Sequence, residues 1–197
     1  LGITTVLSAW DADTGGLLWR KDYSSEFEWD FPYFGTAASP LVWRGSCYVH
    51  FGGQDRDKPD VPGRGAMTAL SVFDGSEKWR WTGDAPAIGA SPIISVIGDQ
   101  VQLVFKSEER IVGLDPRSGK EFWQIPFKVQ MDNTIVTPLV IDDQLITSDY
   151  RMGLRSWRIF SDGESWEARE LWKNDRVCMF MSSPVFAAGQ LVAFSDF

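Results

Sequence analysis

Histidine and cysteine are scarce in this chain of 197 residues, which holds one histidine, His50, and two cysteines, Cys47 and Cys178. A Ser-His-Asp triad or a His-based zinc site would have to rest on His50 alone, and nothing around it supports either. His50 sits on a strand pattern beside Tyr48 and Phe51, so it reads as a packed or hydrogen-bonded residue. The cysteines are far apart and match no CxxC spacing, which leaves buried free thiols ahead of a disulfide. No window approaches the roughly 18 consecutive apolar residues that span a bilayer. Acidic residues outnumber basic ones 27 to 19, for a net charge of −8, and no basic stripe offers a seat for phosphates. Nucleic acid is thereby excluded as a partner. A phosphate-binding glycine loop and any sustained helical period are also missing. The chain opens at Leu1 without a signal-like segment and stops at Phe197 inside a strand-rich stretch, so a piece of a larger protein is expected.

Tryptophan, by contrast, is abundant, with ten copies. Several recur in phase. Ala9, Asp11, Thr14, Gly15 and Trp19 form an Ala-x-Asp-x-x-Thr-Gly-x-x-x-Trp motif. Ala69, Gly75 and Trp79 repeat it, with Ser71 and Asp74 in the polar positions. Gly113, Asp115, Ser118, Gly119 and Trp123 form a third copy. The fourth is degraded: Ser156, Gly163 and Trp172 persist around an insertion near Ser165 to Glu170. A second landmark keeps the same phase. Ser39-Pro40, Ser91-Pro92, Thr137-Pro138 and Ser183-Pro184 each open an apolar run, with prolines 52, 46 and 46 residues apart. That spacing suits one four-stranded unit of about 40–50 residues.

Each unit then divides into strands. After Ser/Thr-Pro comes a short strand, followed by a tight turn at Arg44-Gly45, Gly98-Asp99, Asp142-Asp143 or Ala188-Gly189. Second strands follow at Cys47–Phe51, Val101–Phe105, Gln144–Ser148 and Gln190–Phe194, and third strands at Met67–Ser71, Ile111–Leu114 and Leu154–Trp157. The motif glycine turns the chain into a fourth strand that carries the Trp. The fold class expected is all-β: a β-propeller of four-stranded antiparallel blades, about four of them. One region spans residues 1–197, with approximate repeats at 1–66, 67–110, 111–153 and 154–197. The motif also has a mechanical reading. Asp and Thr hydrogen-bond the turn backbone, and the small Ala leaves room for a Trp ring from the neighbouring blade to lie on that turn. Trp172 is assigned the same blade-docking role as Trp19, Trp79 and Trp123.

The motif at Ala9–Trp19, with its copies ending at Trp79 and Trp123, resembles the tryptophan-docking repeat of pyrroloquinoline-quinone (PQQ) type propellers. That superfamily includes quinoprotein alcohol dehydrogenases and the BamB outer-membrane assembly lipoproteins. The resemblance covers nearly the whole chain and is specific for fold rather than function. It implies a ring of seven or eight blades, of which four repeats make about half. The remainder is expected in a parent protein rather than in a second copy. Periplasmic or cell-envelope localisation follows from the resemblance alone. So do PQQ and calcium as cofactors, but no residue here matches the family's calcium ligands, catalytic Asp or vicinal cysteines, and no catalytic or metal residue is assigned.

The remaining chemistry lies on loops that this topology gathers at one end of the ring. Phe27, Trp29, Phe31, Tyr33 and Phe34 crowd the longest of them, read first as a cap on the blade and second as a wall for a planar ligand or a partner. Arg56, Arg110 and Arg151 each precede a third strand. They either pair with acidic neighbours such as Asp57, Glu108 and Asp149 or together hold an anionic ligand. Asp132 and Asn133 should stand near the channel mouth, where two oxygen ligands alone do not make a calcium site. Trp29, Tyr33, Arg56, Arg110, Asp132, Asn133 and Arg151 are therefore the candidate ligand-binding residues. The function expected is a non-catalytic binding or scaffold module. The alternative is part of a PQQ-dependent dehydrogenase whose catalytic residues lie mainly elsewhere, and a sensor propeller with an added domain is a third reading.

Overall fold

Short apolar runs closed by two-residue turns make this an all-β chain. The computed structural model describes residues 5–27, 37–53, 64–84, 89–130 and 134–195, and among these it contains no helix. A pair of strands comes first, β1 (Val6–Trp10) and β2 (Leu17–Asp22). Three complete antiparallel blades follow. They are β3 (Leu41–Trp43) to β6 (Glu77–Asp84), β7 (Ile93–Ile97) to β10 (Glu121–Pro126), and β11 (Leu139–Ile141) to β14 (Trp166–Asn174). Their second and third strands are β4 (Ser46–Gly53) and β5 (Arg64–Ser71), β8 (Gln100–Lys106) and β9 (Arg110–Leu114), and β12 (Gln144–Thr147) and β13 (Leu154–Ser161). A last pair, β15 (Val185–Ala187) and β16 (Gln190–Val192), ends the described chain. This is a partial β-propeller of about four blades, present as three whole ones and two halves. The opening half is a third and a fourth strand; the closing half is a first and a second. The sequence repeat is thus out of phase with the sheets, each repeat holding the last two strands of one blade and the first two of the next.

The turns between first and second strands show why these residues were needed. Arg44 and Gly45, Gly98 and Asp99, and Ala188 and Gly189 all take positive φ, the pairing that matches hairpin twist. Register on the motif side is equally regular. Ala9 lies opposite Trp19, Ala69 opposite Trp79, Gly113 opposite Trp123 and Ser156 opposite Trp172, each beside a bulge. At Gly113 the absence of a side chain is required, since a Cβ there would collide with the Trp123 ring.

The core lies between blades. Along β4, Cys47, Val49 and Phe51 face back onto Leu7 of the first pair, while Tyr48 faces forward onto the blade that carries Leu103 and Leu114. This alternation is the period-two geometry of a strand buried on both faces. The third joint holds Val104, Ile111 and Trp123 against Leu145, Trp157 and Ile159. Each fully buried side chain of this size contributes about 1.5–3 kcal/mol. Both cysteines are buried free thiols.

Candidate functional site on the loop face

The motif tryptophans, assigned one common role from sequence, occupy two different settings. Trp19 Nε1 donates to the Val72 carbonyl of the next blade at 2.8 Å, and its ring lies where a Cβ on Gly75 would be, 2.8 Å away. Trp79 does the same one blade on, donating to the Pro116 carbonyl at 3.1 Å with its ring over Gly119. Trp123 departs from this pattern. It lies over Gly113 of its own blade and donates to Gln102 Oε1 at 2.6 Å. The cause is the degraded fourth motif. There the hairpin of β13 and β14 runs on to Ser161 and Trp166, so its turn lies beyond the reach of Trp123. Trp166 covers the joint instead, 3.3 Å from a Cβ position on Gly98 and 5.6 Å from the Phe122 ring.

The Ser/Thr-Pro landmarks have a role that sequence reading missed. Ser39 N–H donates to Ser91 Oγ at 3.0 Å, Ser91 N–H to Thr137 Oγ1 at 3.0 Å, and Thr137 N–H to Ser183 Oγ at 2.9 Å. A hydroxyl belt therefore links the heads of successive blades. The recurrence of Ser or Thr at four in-phase positions was the signal that could have revealed it.

On the face where second strands end, Lys106 and Asp149 are both fully buried and 2.6 Å apart, joining the last two complete blades. Lys106 Nζ also donates to the Ser148 carbonyl at 3.0 Å and lies 5.5 Å from the Phe127 ring centroid. Burial pushes the Lys106 ammonium down and the Asp149 carboxyl up, and the attraction between the two opposes both shifts. Asp149 was expected to neutralise Arg151. Its carboxylate is instead taken by Lys106, and the Arg151 guanidinium lies 5.0 Å from the Tyr150 ring. Arg151 is exposed and has positive φ, so the strand-linking turn presents it outward. Behind it Cys178 accepts from Arg151 N–H at 3.1 Å and donates to the Asp149 carbonyl at 3.0 Å. Arg110 hydrogen-bonds Gln124 Oε1 at 2.9 Å, with Glu109 3.7 Å away.

Of the aromatic loop, Phe27 is buried and stacks on Phe51 at 5.7 Å, beside Tyr23. Arg80 lies over both Tyr23 and Phe27 and pairs with Glu26 and Glu77, so this part of the loop caps its joint. Trp29, Tyr33, Arg56, Asp132 and Asn133 lie outside the described residues. His50 faces Phe105 at 5.4 Å and is fully buried, and burial pushes its imidazole down to about 3.

A family model described as outer membrane protein assembly factor BamB matches residues 2–196. The chain belongs to this BamB-like family of PQQ-type repeats. Among solved structures, BamB from Moraxella catarrhalis is similar at 15% identity and a TM-score of 0.56, covering 93% of this chain and 47% of its own. A quinohemoprotein alcohol dehydrogenase from Comamonas testosteroni is similar at 16% identity and a TM-score of 0.48, covering 85% and 32%. No curated protein matches by sequence. The chain therefore spans about half the length of the BamB structure, and at this identity the likeness concerns the fold.

Among the described residues no group of three His, Cys, Asp or Glu side chains converges. On the loop face the buried Asp149 carboxylate is balanced by Lys106.

Proposed function

We propose that this chain is a non-catalytic binding module of the cell envelope, periplasmic in location, whose loop face takes a protein partner in outer-membrane protein assembly. The observation that carries the reading is the internal pairing of Lys106 with Asp149. The most deeply buried charges on that face hold two blades together, which leaves the exposed Arg151, with the half-buried Tyr150 beside it, for contact. A rim built from an arginine and an aromatic over a fixed scaffold suits protein recognition, where these side chains dominate hot spots. The BamB-like family assignment supplies the envelope context.

The test places a photo-crosslinking residue at position 151 and irradiates cells that make the protein. A discrete adduct with an envelope assembly protein, lost when Tyr150→Ala is added, supports the reading. Reduction of an artificial dye by the purified protein with PQQ, calcium and an alcohol overturns it in favour of a quinoprotein dehydrogenase.

A further inference from the structure

Two carboxylates border the turn that carries Arg151, and both are already matched. Asp149 opens the turn, with Oδ2 2.6 Å from the buried Lys106 Nζ and Oδ1 accepting from Tyr150 N–H at 2.8 Å. Asp175 stands on the following loop, where its Oδ1 would lie 2.9 Å from a Cβ on Gly153, and it pairs with Lys173 at 2.6 Å. Arg151 itself is exposed, and among the described residues no ion pair or side-chain hydrogen bond engages its guanidinium. Acidic residues outnumber basic ones 27 to 19 in this chain, yet here a positive charge stands unmatched between two acids that are taken.

The guanidinium is also held in place. Arg151 has a φ of +55°, a conformation that residues with a side chain seldom adopt. Its N–H donates to Cys178 Sγ at 3.1 Å, and Met152 N–H closes the turn on the Asp149 carbonyl at 2.9 Å. The side chain lies over the Tyr150 ring, 5.0 Å from its centroid, and that ring is braced in turn by Phe180 at 4.9 Å. A guanidinium backed by a ring on one face keeps its N–H edges open, and those edges match the two oxygens of a carboxylate. Because backbone and ring already fix it, less freedom is lost when a ligand docks.

We propose that Arg151 receives an acidic side chain of the partner protein, an Asp or Glu carboxylate seated in its fork against the Tyr150–Phe180 pair. The inference rests on the protein-partner reading given above and names the chemistry that such a partner presents. One exposed guanidinium holds a free carboxylate only weakly, so the carboxylate arrives as part of a larger surface. A membrane of anionic lipid is the poorer fit. It calls for a cluster of basic residues, whereas Arg151 stands between two acids on a protein of net charge −8.

The test keeps the full chain in cells and moves the photo-crosslinking residue to position 176, exposed on the adjoining loop, so that Arg151 stays intact. Arg151→Glu should lower the yield of the partner adduct at least about tenfold. Arg151→Lys should give an intermediate yield, since an ammonium keeps the charge and loses the fork. Both variants retain the backbone N–H on Cys178, and their urea midpoints should match the parent. Mass spectrometry of the parent adduct then locates the crosslinked segment of the partner. Replacing the nearest Asp or Glu there with Arg should restore the adduct with Arg151→Glu.

An adduct as strong with Arg151→Glu as with the parent would overturn this proposal and leave the protein-partner reading standing. No adduct from position 151 or 176 would overturn that reading, and this one with it. A charge swap that restores nothing would also reject the carboxylate. So would flotation of the parent with phosphatidylglycerol vesicles that Arg151→Glu abolishes, which would assign the site to a membrane surface.

Discussion

The indole of Trp79 lies over Gly119 of the following blade while its N–H reaches the Pro116 carbonyl at 3.1 Å. The glycine is needed twice there, for a φ of +72° and for the absence of a Cβ that would stand 2.6 Å from the ring. Gly163 shares the positive φ but meets nothing within 4 Å. Gly163→Ala should therefore cost about 1 kcal/mol, from backbone strain alone. Gly119→Ala should cost about 3 kcal/mol, because the indole is displaced as well. Urea unfolding of the two variants measures the difference, and equal costs would remove the ring contact from the account.

Lys106 and Asp149 make a second joint testable. Removing either partner leaves an uncompensated charge in a fully buried position. Asp149→Asn and Lys106→Met should each destabilise by about 3–5 kcal/mol. The double variant Lys106→Met with Asp149→Leu should recover most of that loss, since no charge is then stranded. Recovery absent from the double variant would show that the pair acts through something other than charge balance.

His50 gives the protein an acid-side liability. Its folded pKa is lowered to about 3 by burial, below the ordinary 6.5, so the unfolded chain takes up the proton first. Its contribution is complete above pH 6.5 and is lost as pH falls toward 3, by about 1.4 kcal/mol for each pH unit. Carboxylates titrate in the lower part of that window, so the clean reading lies between pH 6.5 and 5. In that range His50→Leu should flatten the dependence of the urea midpoint on pH. A slope unchanged by the substitution would assign it to other groups.

The hydroxyl belt predicts an effect from a single side-chain oxygen. Thr137→Val keeps the shape of the side chain but leaves Ser91 N–H without its acceptor. A loss of about 1–3 kcal/mol is expected in thermal or urea unfolding, with Thr137→Ser close to the parent. If Thr137→Ser were as damaging as Thr137→Val, the methyl group and not the hydrogen bond would be responsible.

Much of the architecture was legible in the residues. Two landmarks in a common phase located the blades, and Gly or Asp at two-residue turns located the hairpins, because positive φ restricts what can stand there. The candidate site was far less legible. Asp149 looked like a partner for Arg151 two residues away, but sequence proximity does not choose between an exposed arginine and a buried lysine from another blade. Lys106 drew no notice because nothing local marks a lysine as buried. Trp19, Trp79 and Trp123 looked equivalent, and only the lengthened hairpin beyond Ile159 turns Trp123 back onto its own blade.

The sequence by itself determined the strands, their turns and the BamB-like repeat, since each of these depends on local conformation and a repeating period. Tertiary structure alone decided which side chains meet across the joints: the indoles of Trp19 and Trp79 on the next blade, the belt through Ser91 and Thr137, and the Lys106–Asp149 pair. Those contacts join residues 37 to 53 positions apart, and their geometry exists only once one blade is stacked against the next.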